Sequence, residues 1–269
     1  MSVKIAVINS STVLTDAEVV KVVPSLQKQV DLHAGPAWGV SAQLRFVPKG
    51  SQPTPDEWWL VILNNSDQAG ALGYHDLTDK GLPLSKVFAG SDISYQHSWT
   101  VTCSHELLEM LVDPDINLTV FDEGPIGARL YAYEVCDACE ADQYGYQIDG
   151  VLVSDFVYPA WFESFRDKGS TQFDYCKKID EPFKLLPGGY IGVNDIVSGL
   201  GWQQLVAGQA FNARSAPPAG SRRQRRDVPP EKREASRVAF PGDAQPAVAP
   251  PADTGEVIVT VTPVEGQPA

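Results

Sequence analysis

The sequence has no long apolar run, since the longest, Trp58–Leu63, holds six residues. A helix that spans a bilayer needs about 20 apolar residues, so the sequence predicts none. A Walker A motif, a Gly-x-Ser-x-Gly motif and a dinucleotide-binding glycine pattern are also missing, which argues against those enzyme classes. No small-residue cleavage site follows the strand-type residues at the N-terminus. We therefore expect no secretory signal and a cytoplasmic or virion- or particle-associated protein.

Cysteine is scarce, with four residues in 269, at positions 103, 136, 139 and 176. Disulfides are disfavoured in a chain without a secretory signal, so buried free thiols are the leading interpretation. The alternatives are a Cys136-x-x-Cys139 redox pair or a four-cysteine metal site, and one Cys-x-x-Cys is a weak signal for either. Cys103 precedes His105 by two helix positions, and side chains so spaced point apart, which argues against a thiol nucleophile.

Basic side chains are also few. The 21 Lys and Arg are outnumbered by 34 Asp and Glu, for a net charge of −13. Residues 214–269 hold eight of the bases and seven of the acids, so the first 213 residues carry a net charge of −14. An acidic body of this kind repels polyanions, which argues against nucleic acid and anionic membranes as ligands. It suits metal cations and basic substrates.

Tryptophan, tyrosine and cysteine are confined to the first part of the chain. No Trp, Tyr or Cys follows residue 213, and ten of the 21 Pro fall in residues 214–269. We predict a globular domain over 1–213 and a flexible Pro/Ala/Arg-rich tail over 214–255, because the tail buries too little apolar surface to offset its ordering entropy. Six of the seven residues at 256–262 are β-branched, so they are interpreted as a strand-like segment that suits a sheet edge or a partner in a larger assembly.

Hydrophobic periodicity predicts a mixed α+β fold for the first 213 residues. Strands are expected at 3–9, 42–47 and 58–64, with a short edge strand at 86–89. Helices are expected at 15–33, 98–112 and 195–211. Gly35-Pro36 is interpreted as the stop of the first helix and Asp113-Pro114 as the stop of the second. Residues 121–190 indicate loops and short strands.

The second predicted helix carries the chemistry. His105 and Glu109 stand four positions apart, so they share a helix face about 6 Å apart along the axis, and Asp113 follows one turn later. Glu106 flanks this face, and aliphatic residues occupy the other side. In the His-Glu-x-x-His helix of zinc peptidases, the Glu acts on the metal-bound water. Here Glu109 replaces the second His, and carboxylate oxygen is an accepted zinc ligand.

An acidic segment downstream supplies the remaining ligand. Residues 133–142 pack four acids and two thiols into ten positions. An open tetrahedral site needs a third protein ligand from beyond the helix and leaves the fourth position to water. We predict Glu134 as that ligand, with Asp137 as the second choice and Asp115 ranked below Glu134.

Together these motifs resemble a family of zincin-like metallopeptidases found in bacteria and their phages. The resemblance rests on Ser104-His-Glu-Leu-Leu-Glu109 with Asp113-Pro114, on Glu134-Val-Cys-Asp137, and on the flanking residues 71–76, 157–162 and 182–190. It covers about residues 70 to 190. It implies a zincin-like domain with a small twisted sheet, an active-site helix and a loop-rich C-terminal half. It also implies that residues 73–89 follow a substrate cleft.

The function that we predict is a zinc metallopeptidase acting on a polypeptide. His105, Glu109 and Glu134 would bind zinc or another divalent cation, and Glu106 would act as general base on the metal-bound water. The chain departs from zinc peptidases in having no second His and no Gly at position 112. A site with one His and two carboxylates is harder and more anionic, so it also suits other divalent ions.

Several residues have supporting roles in this prediction. Asp113 and Asp137 would lie behind the ligands or contact the substrate. His75 is interpreted as a hydrogen-bonded structural residue, with an extra ligand or a substrate contact as the alternative. A tyrosine would stabilise the oxyanion, and the candidates are Tyr131, Tyr133, Tyr144 and Tyr146. The alternative function is a non-catalytic phage- or particle-associated protein that keeps the scaffold for structure or binding.

Overall fold

A five-stranded sheet forms the N-terminal half of the computed structural model, in which residues 2–68, 71–124, 127–198 and 201–208 are described. Its strands are β1 (Val3–Asn9), β2 (Ala42–Val47), β3 (Trp58–Leu63), β4 (Gly73–Leu77) and β5 (Pro83–Phe88). They lie in the order β2-β1-β3-β5-β4, with β4 antiparallel to β5 and the other pairs parallel. β4 is therefore an edge strand of reversed direction.

The helices are α1 (Asp16–Lys28), α2 (Gly35–Trp38), α3 (Ala89–Ser94) and α4 (Trp99–Val112), of which α1 and α4 pack on one face of this sheet. The sheet face beneath α1 and α4 is mostly apolar, and its buried residues share one hydrophobic cluster with those two helices. The members of this cluster include Ile5, Val7, Leu60, Ile62, Val87, Leu26, Leu107 and Leu108. Burial of that surface is the main term that holds the two helices to the sheet.

The C-terminal half contains a second, antiparallel sheet and little helix. Strands β6 (Thr119–Gly124), β7 (Gly127–Ala132), β10 (Tyr190–Asp195) and β11 (Trp202–Val206) lie in the order β11-β10-β7-β6. A hairpin of β8 (Tyr146–Ile148) and β9 (Val151–Val153) packs beside α4. Apolar residues of this half, among them Phe156 and Trp161, belong to the same cluster as the helices. α4 is thus enclosed from both sides, and every residue from 103 to 111 is buried.

Most of the predicted elements are confirmed. The strands at 3–9, 42–47 and 58–64 match β1, β2 and β3 to within one residue, and the helix at 98–112 matches α4. The mixed α+β class is correct. Short strands and turns occupy 121–190, as expected. The predicted tail at 214–255 and the strand-like segment at 256–262 lie outside the described residues.

The end of the first helix was predicted wrongly. After α1 the backbone continues through a wider helical turn at Gln29–Ala34 into α2, and it ends at Gly39, whose φ is +69°. Gly35 does not stop the helix. It permits a close approach, since a Cβ there would lie 2.3 Å from the carbonyl oxygen of Val30 and 2.7 Å from that of Val40. Pro36 stands in the first turn of α2, directly after this wider turn.

Two further predictions are corrected. The strand at 86–89 was predicted as an edge strand, but β5 lies inside the sheet because β4 pairs along its outer side. The helix predicted at 195–211 is wrong across the described residues. Trp202–Val206 instead pairs antiparallel with Tyr190–Asp195, because the ladder to β10 overrides a weak helical pattern.

A buried pair of carboxyl groups stabilises the loops of the C-terminal half. Asp155 accepts the N–H groups of Phe156 and Cys176 at 2.8 and 3.1 Å, and Asp174 accepts those of Lys178 and Ile179, both at 2.8 Å. Both aspartates are fully buried. Burial, together with a hydrogen bond to Asp174 and its negative charge, raises the pKa of Asp155 to about 8. Asp155 therefore holds its proton at neutral pH.

We expect the free energy of unfolding to fall as the pH rises from 3.8, the ordinary pKa of Asp155, to about 8. Across this window the folded state retains a proton that the unfolded state has released. Asp155→Asn keeps a neutral hydrogen-bonding group and should remove pH dependence on the order of a few kcal/mol. Urea denaturation at about pH 5 and about pH 9 measures the change, with the exposed Asp149→Asn as control. If the free energy of unfolding of Asp155→Asn changes with pH as much as that of the wild type, the raised pKa of Asp155 is contradicted.

Candidate metal centre

Side chains from three elements meet where α4 passes beneath the edge strand β4 and the segment that follows β7. They are His105, Glu106 and Glu109 of α4, His75 of β4, and Glu134, Cys136 and Asp137 after β7. None of the seven exposes more than 7% of its surface. A cluster of ionisable groups so deeply buried needs strong electrostatic compensation.

Glu109 is the central group. Its Oε1 lies 3.2 Å from His105 Nε2, and its Oε2 lies 3.7 Å from His75 Nδ1. The N–H of Cys136 donates to Oε1 at 3.3 Å, which ties the segment after β7 to the helix. The side chain is completely buried, so these groups are part of the fixed polar surroundings of its carboxylate.

His105 lies between two carboxylates. Its Nε2 is 3.1 Å from Asp137 Oδ1 and 3.2 Å from Glu109 Oε1. Burial lowers the pKa of His105, but attraction to Glu109 and hydrogen bonds to Asp137 and Glu109 outweigh it and raise the pKa well above the ordinary value. This shift favours the positively charged imidazolium, and a metal ion would compete with its additional proton.

The potential ligand atoms fall into two groups that share Glu109. His105, Glu109 and Cys136 form one group, and His75, Glu109 and Glu134 form the other; within each group the ligand atoms lie within 4.8 Å of one another. The predicted ligands His105 and Glu134 thus belong to different groups, and the alternative third ligand Asp137 lies beside His105. As metal ligands, all of these residues stay predictions.

The distances in the cluster suit metal coordination. Zinc binds nitrogen and oxygen at roughly 2.0–2.2 Å, so two donors on a tetrahedral ion are separated by roughly 3.4 Å. Three of the four His–carboxylate separations in the cluster, at 3.1, 3.2 and 3.7 Å, are close to this value, and the fourth, between Glu106 and His75, is 3.9 Å. The donor types also fit, since imidazole, carboxylate and thiolate are the zinc ligands of proteins.

Glu106 lies against the edge strand. Its Oε2 is 3.9 Å from His75 Nδ1, and its backbone carbonyl accepts the hydroxyl of Ser85 at 2.9 Å. Gly73 leaves room for it, because a Cβ at this position would lie 2.8 Å from Cγ and from Oε1 of Glu106 and 2.8 Å from Cγ2 of Thr102. β4 therefore determines where the Glu106 carboxylate points.

The formal charge of the cluster is strongly negative. Glu106, Glu109, Glu134 and Asp137 contribute four carboxylates, against which the two imidazoles supply at most two positive charges. Glu140 adds a fifth acid nearby. Burial raises its pKa to about 7, and the charge of His105 lowers it while those of Asp137, Glu109 and Glu106 raise it further. A divalent cation would relieve this excess of negative charge.

Asp113 has a local role that explains its burial. Its carboxylate accepts the N–H of Asn117 at 2.9 Å and that of Leu118 at 3.1 Å, so it closes the turn that follows α4. Asp115 is exposed. Among the tyrosines proposed for an oxyanion, Tyr146 bonds through its hydroxyl with Gln29 and His33, and Tyr131 and Tyr133 pack against Phe183 and Phe162.

All four cysteines are free, and three of them are buried. Burial, reinforced by the charges of Asp92 and Glu106, raises the pKa of Cys103, so its thiol is a poor nucleophile. Cys136 is not among the metal ligands predicted from the sequence. Its position between Glu134 and Asp137 in the acidic segment could have indicated it, but its approach to His105 depends on tertiary packing.

Comparison with family models, curated proteins and solved structures gave no match. Within the described residues, no helix is long and apolar enough to span a membrane.

We expect Gly73→Ala to displace Glu106, because its Cβ overlaps both Glu106 and Thr102. Crowding of this kind in a packed site costs about 1–3 kcal/mol in the free energy of unfolding. Urea denaturation measures it. Gly124→Ala is the matched strand control, since the nearest atom there is the end of the Asp122 side chain at 3.2 Å. Equal stability losses in the two variants would contradict the packing role of Gly73.

Proposed function

We propose that this chain is a metal-dependent hydrolase, a metallopeptidase of the zincin-like type that uses zinc or another divalent cation. The observation that carries the proposal is the completely buried Glu109, whose carboxylate faces imidazoles from two elements amid three further buried acids. Such a cluster has the donor types, the spacing and the charge that a divalent ion requires.

His105 and Glu109 would hold the ion, as their helix spacing predicts. The third donor would come from the segment after β7. There Asp137 lies 3.1 Å from His105, and Cys136 belongs to the donor group of His105 and Glu109. Glu134, the first choice from the sequence, instead shares a group with His75. When bound, the ion would polarise a substrate carbonyl and lower the pKa of water.

Glu106 would be the general base. Its carboxylate is oriented by Gly73 and lies 3.9 Å from His75, on the same side of α4 as Glu109. A base in this position accepts a proton from water and returns it to the leaving amine. The polypeptide substrate would approach along β4, the edge strand that the zincin-like resemblance assigns to the cleft.

The non-catalytic alternative also has an observation in its favour. Glu106 exposes 3% of its surface and Glu109 none, a depth of burial that suits an ion with a structural role. In that case the ion would stabilise the junction between α4, β4 and the segment after β7 in a protein that binds within a larger assembly. The two functions differ in whether Glu106 is needed for turnover.

Metal binding should stabilise the fold. At a concentration 100 times its Kd, an ion that binds only the folded state adds about 2.7 kcal/mol to the free energy of unfolding. We expect this gain in stability when Zn²⁺ is returned to chelator-treated wild-type protein. The same treatment should give no gain in His105→Ala. Elemental mass spectrometry and thermal unfolding test it, with His97→Ala, about half exposed, as control. Equal, near-zero metal content in wild type and His105→Ala would rule out the centre.

Glu106→Gln separates catalysis from structure. The amide keeps the size of the side chain and removes its basicity, so metal content should stay at the wild-type level. Cleavage of an unfolded protein substrate should be sensitive to chelator and should fall about 10²- to 10⁴-fold in the variant. If metal-loaded wild-type protein does not cleave the substrate, the structural alternative is favoured. If Glu106→Gln keeps full activity, Glu106 is not the general base.

A further inference from the structure

The carboxylate of Glu109 has a second oxygen, Oε2, that points away from the ion proposed at His105. Oε1 faces His105 at 3.2 Å, whereas Oε2 faces His75 at 3.7 Å, and the two imidazoles come from different elements. We infer that a second divalent cation binds at this oxygen, held by His75, Glu109 and Glu134, so that Glu109 bridges two ions. The inference rests on the proposed function for the ion at His105.

The donor atoms of this second position are close together and buried. His75, Glu109 and Glu134 place one ligand atom each within 4.8 Å of the others, and they expose 1%, 0% and 7% of their surfaces. One nitrogen and two carboxylate oxygens suit Zn²⁺, Mn²⁺ or Fe²⁺. The position at His105 differs because its group includes the sulfur of Cys136. The two positions therefore have distinguishable chemistry.

Charge balance favours two ions over one. A metal-bound imidazole is neutral, so the four carboxylates of Glu106, Glu109, Glu134 and Asp137 are balanced by metal alone. With the Cys136 thiolate counted as well, one divalent ion leaves a formal charge of −3 in a buried cluster, and a second reduces it to −1. Buried charge without compensation is strongly unfavourable, so the second ion would stabilise the folded site.

Glu109 has the arrangement that a bridging ligand needs, since each of its oxygens has an imidazole of its own. Paired ions about 3.5–4 Å apart occur in several classes of hydrolase, including aminopeptidases. Glu106 lies 3.9 Å from His75, so the general base would stand beside the second ion as well. The centre would then be a two-ion hydrolytic site.

Metal stoichiometry tests this inference directly. We expect two Zn²⁺ per chain in wild type and one in both His75→Gln and Glu134→Gln, measured by elemental mass spectrometry after dialysis. In Co²⁺-loaded protein, the thiolate-to-cobalt absorption of Cys136 should survive His75→Gln and Glu134→Gln and disappear in Cys136→Ser. Cys176→Ser is the thiol control. Circular dichroism shows which variants are folded. Two different substitutions in the second position are used so that the test still holds if one of the variants does not fold.

The possible results separate the two proposals. One Zn²⁺ per wild-type chain, with chelator-sensitive cleavage intact, would overturn the second position and leave the proposed function standing. Two Zn²⁺ in folded His75→Gln and Glu134→Gln would place the second ion elsewhere and also overturn it. Loss of the cobalt–thiolate absorption in those variants would show a single shared site. Absence of metal from wild type would overturn both proposals.

Discussion

The burial of Glu109 constrains the rest of the molecule. A carboxylate with no solvent contact needs positive charge or hydrogen-bond donors on every side, and here they come from α4, β4 and the segment after β7. These elements are distant in sequence, so the site exists only when both halves of the chain are packed together. This explains why α4 is buried all round although one side of it is polar. Its aliphatic side belongs to the core, and its polar side belongs to the cluster.

Part of this site was predictable from the sequence because it depends on helix geometry alone. The spacing of His105 and Glu109 fixes their common face before any tertiary contact forms. The partners could not be predicted in the same way. His75 reaches Glu109 through the pairing of β4 with β5, and Cys136 and Asp137 reach His105 through the packing of the loop after β7. Residue type indicated an acidic third ligand, but spacing along the chain could not decide between Glu134 and Asp137.

The fold shows the same division. β1 and β3 were predictable because continuous apolar runs identify strands covered on both faces, whereas β2 was predictable because its apolar and polar residues alternate. β4 was not, since Gly73–Leu77 carries a His and an Asp and has no apolar run. The region 195–211 was misassigned because its strand is set by pairing with β10. Gly35 illustrates a third case: glycine before proline usually ends a helix, whereas here it lets two backbone carbonyls approach while the helix continues.

The metal-centre proposal depends finally on how one strand and one helix face each other. Alternate residues of a strand point to the same side, so Gly73 and His75 both face α4 while Tyr74 points to the opposite side, where its hydroxyl bonds with Lys86 and Asp67. The missing side chain at 73 admits the Glu106 carboxylate, and the imidazole at 75 reaches Glu109. A shift of β4 by one residue would turn His75 away from the helix and put Tyr74 in its place. The pairing of β4 with β5 therefore determines the chemistry of the site as directly as the spacing of residues on α4 does.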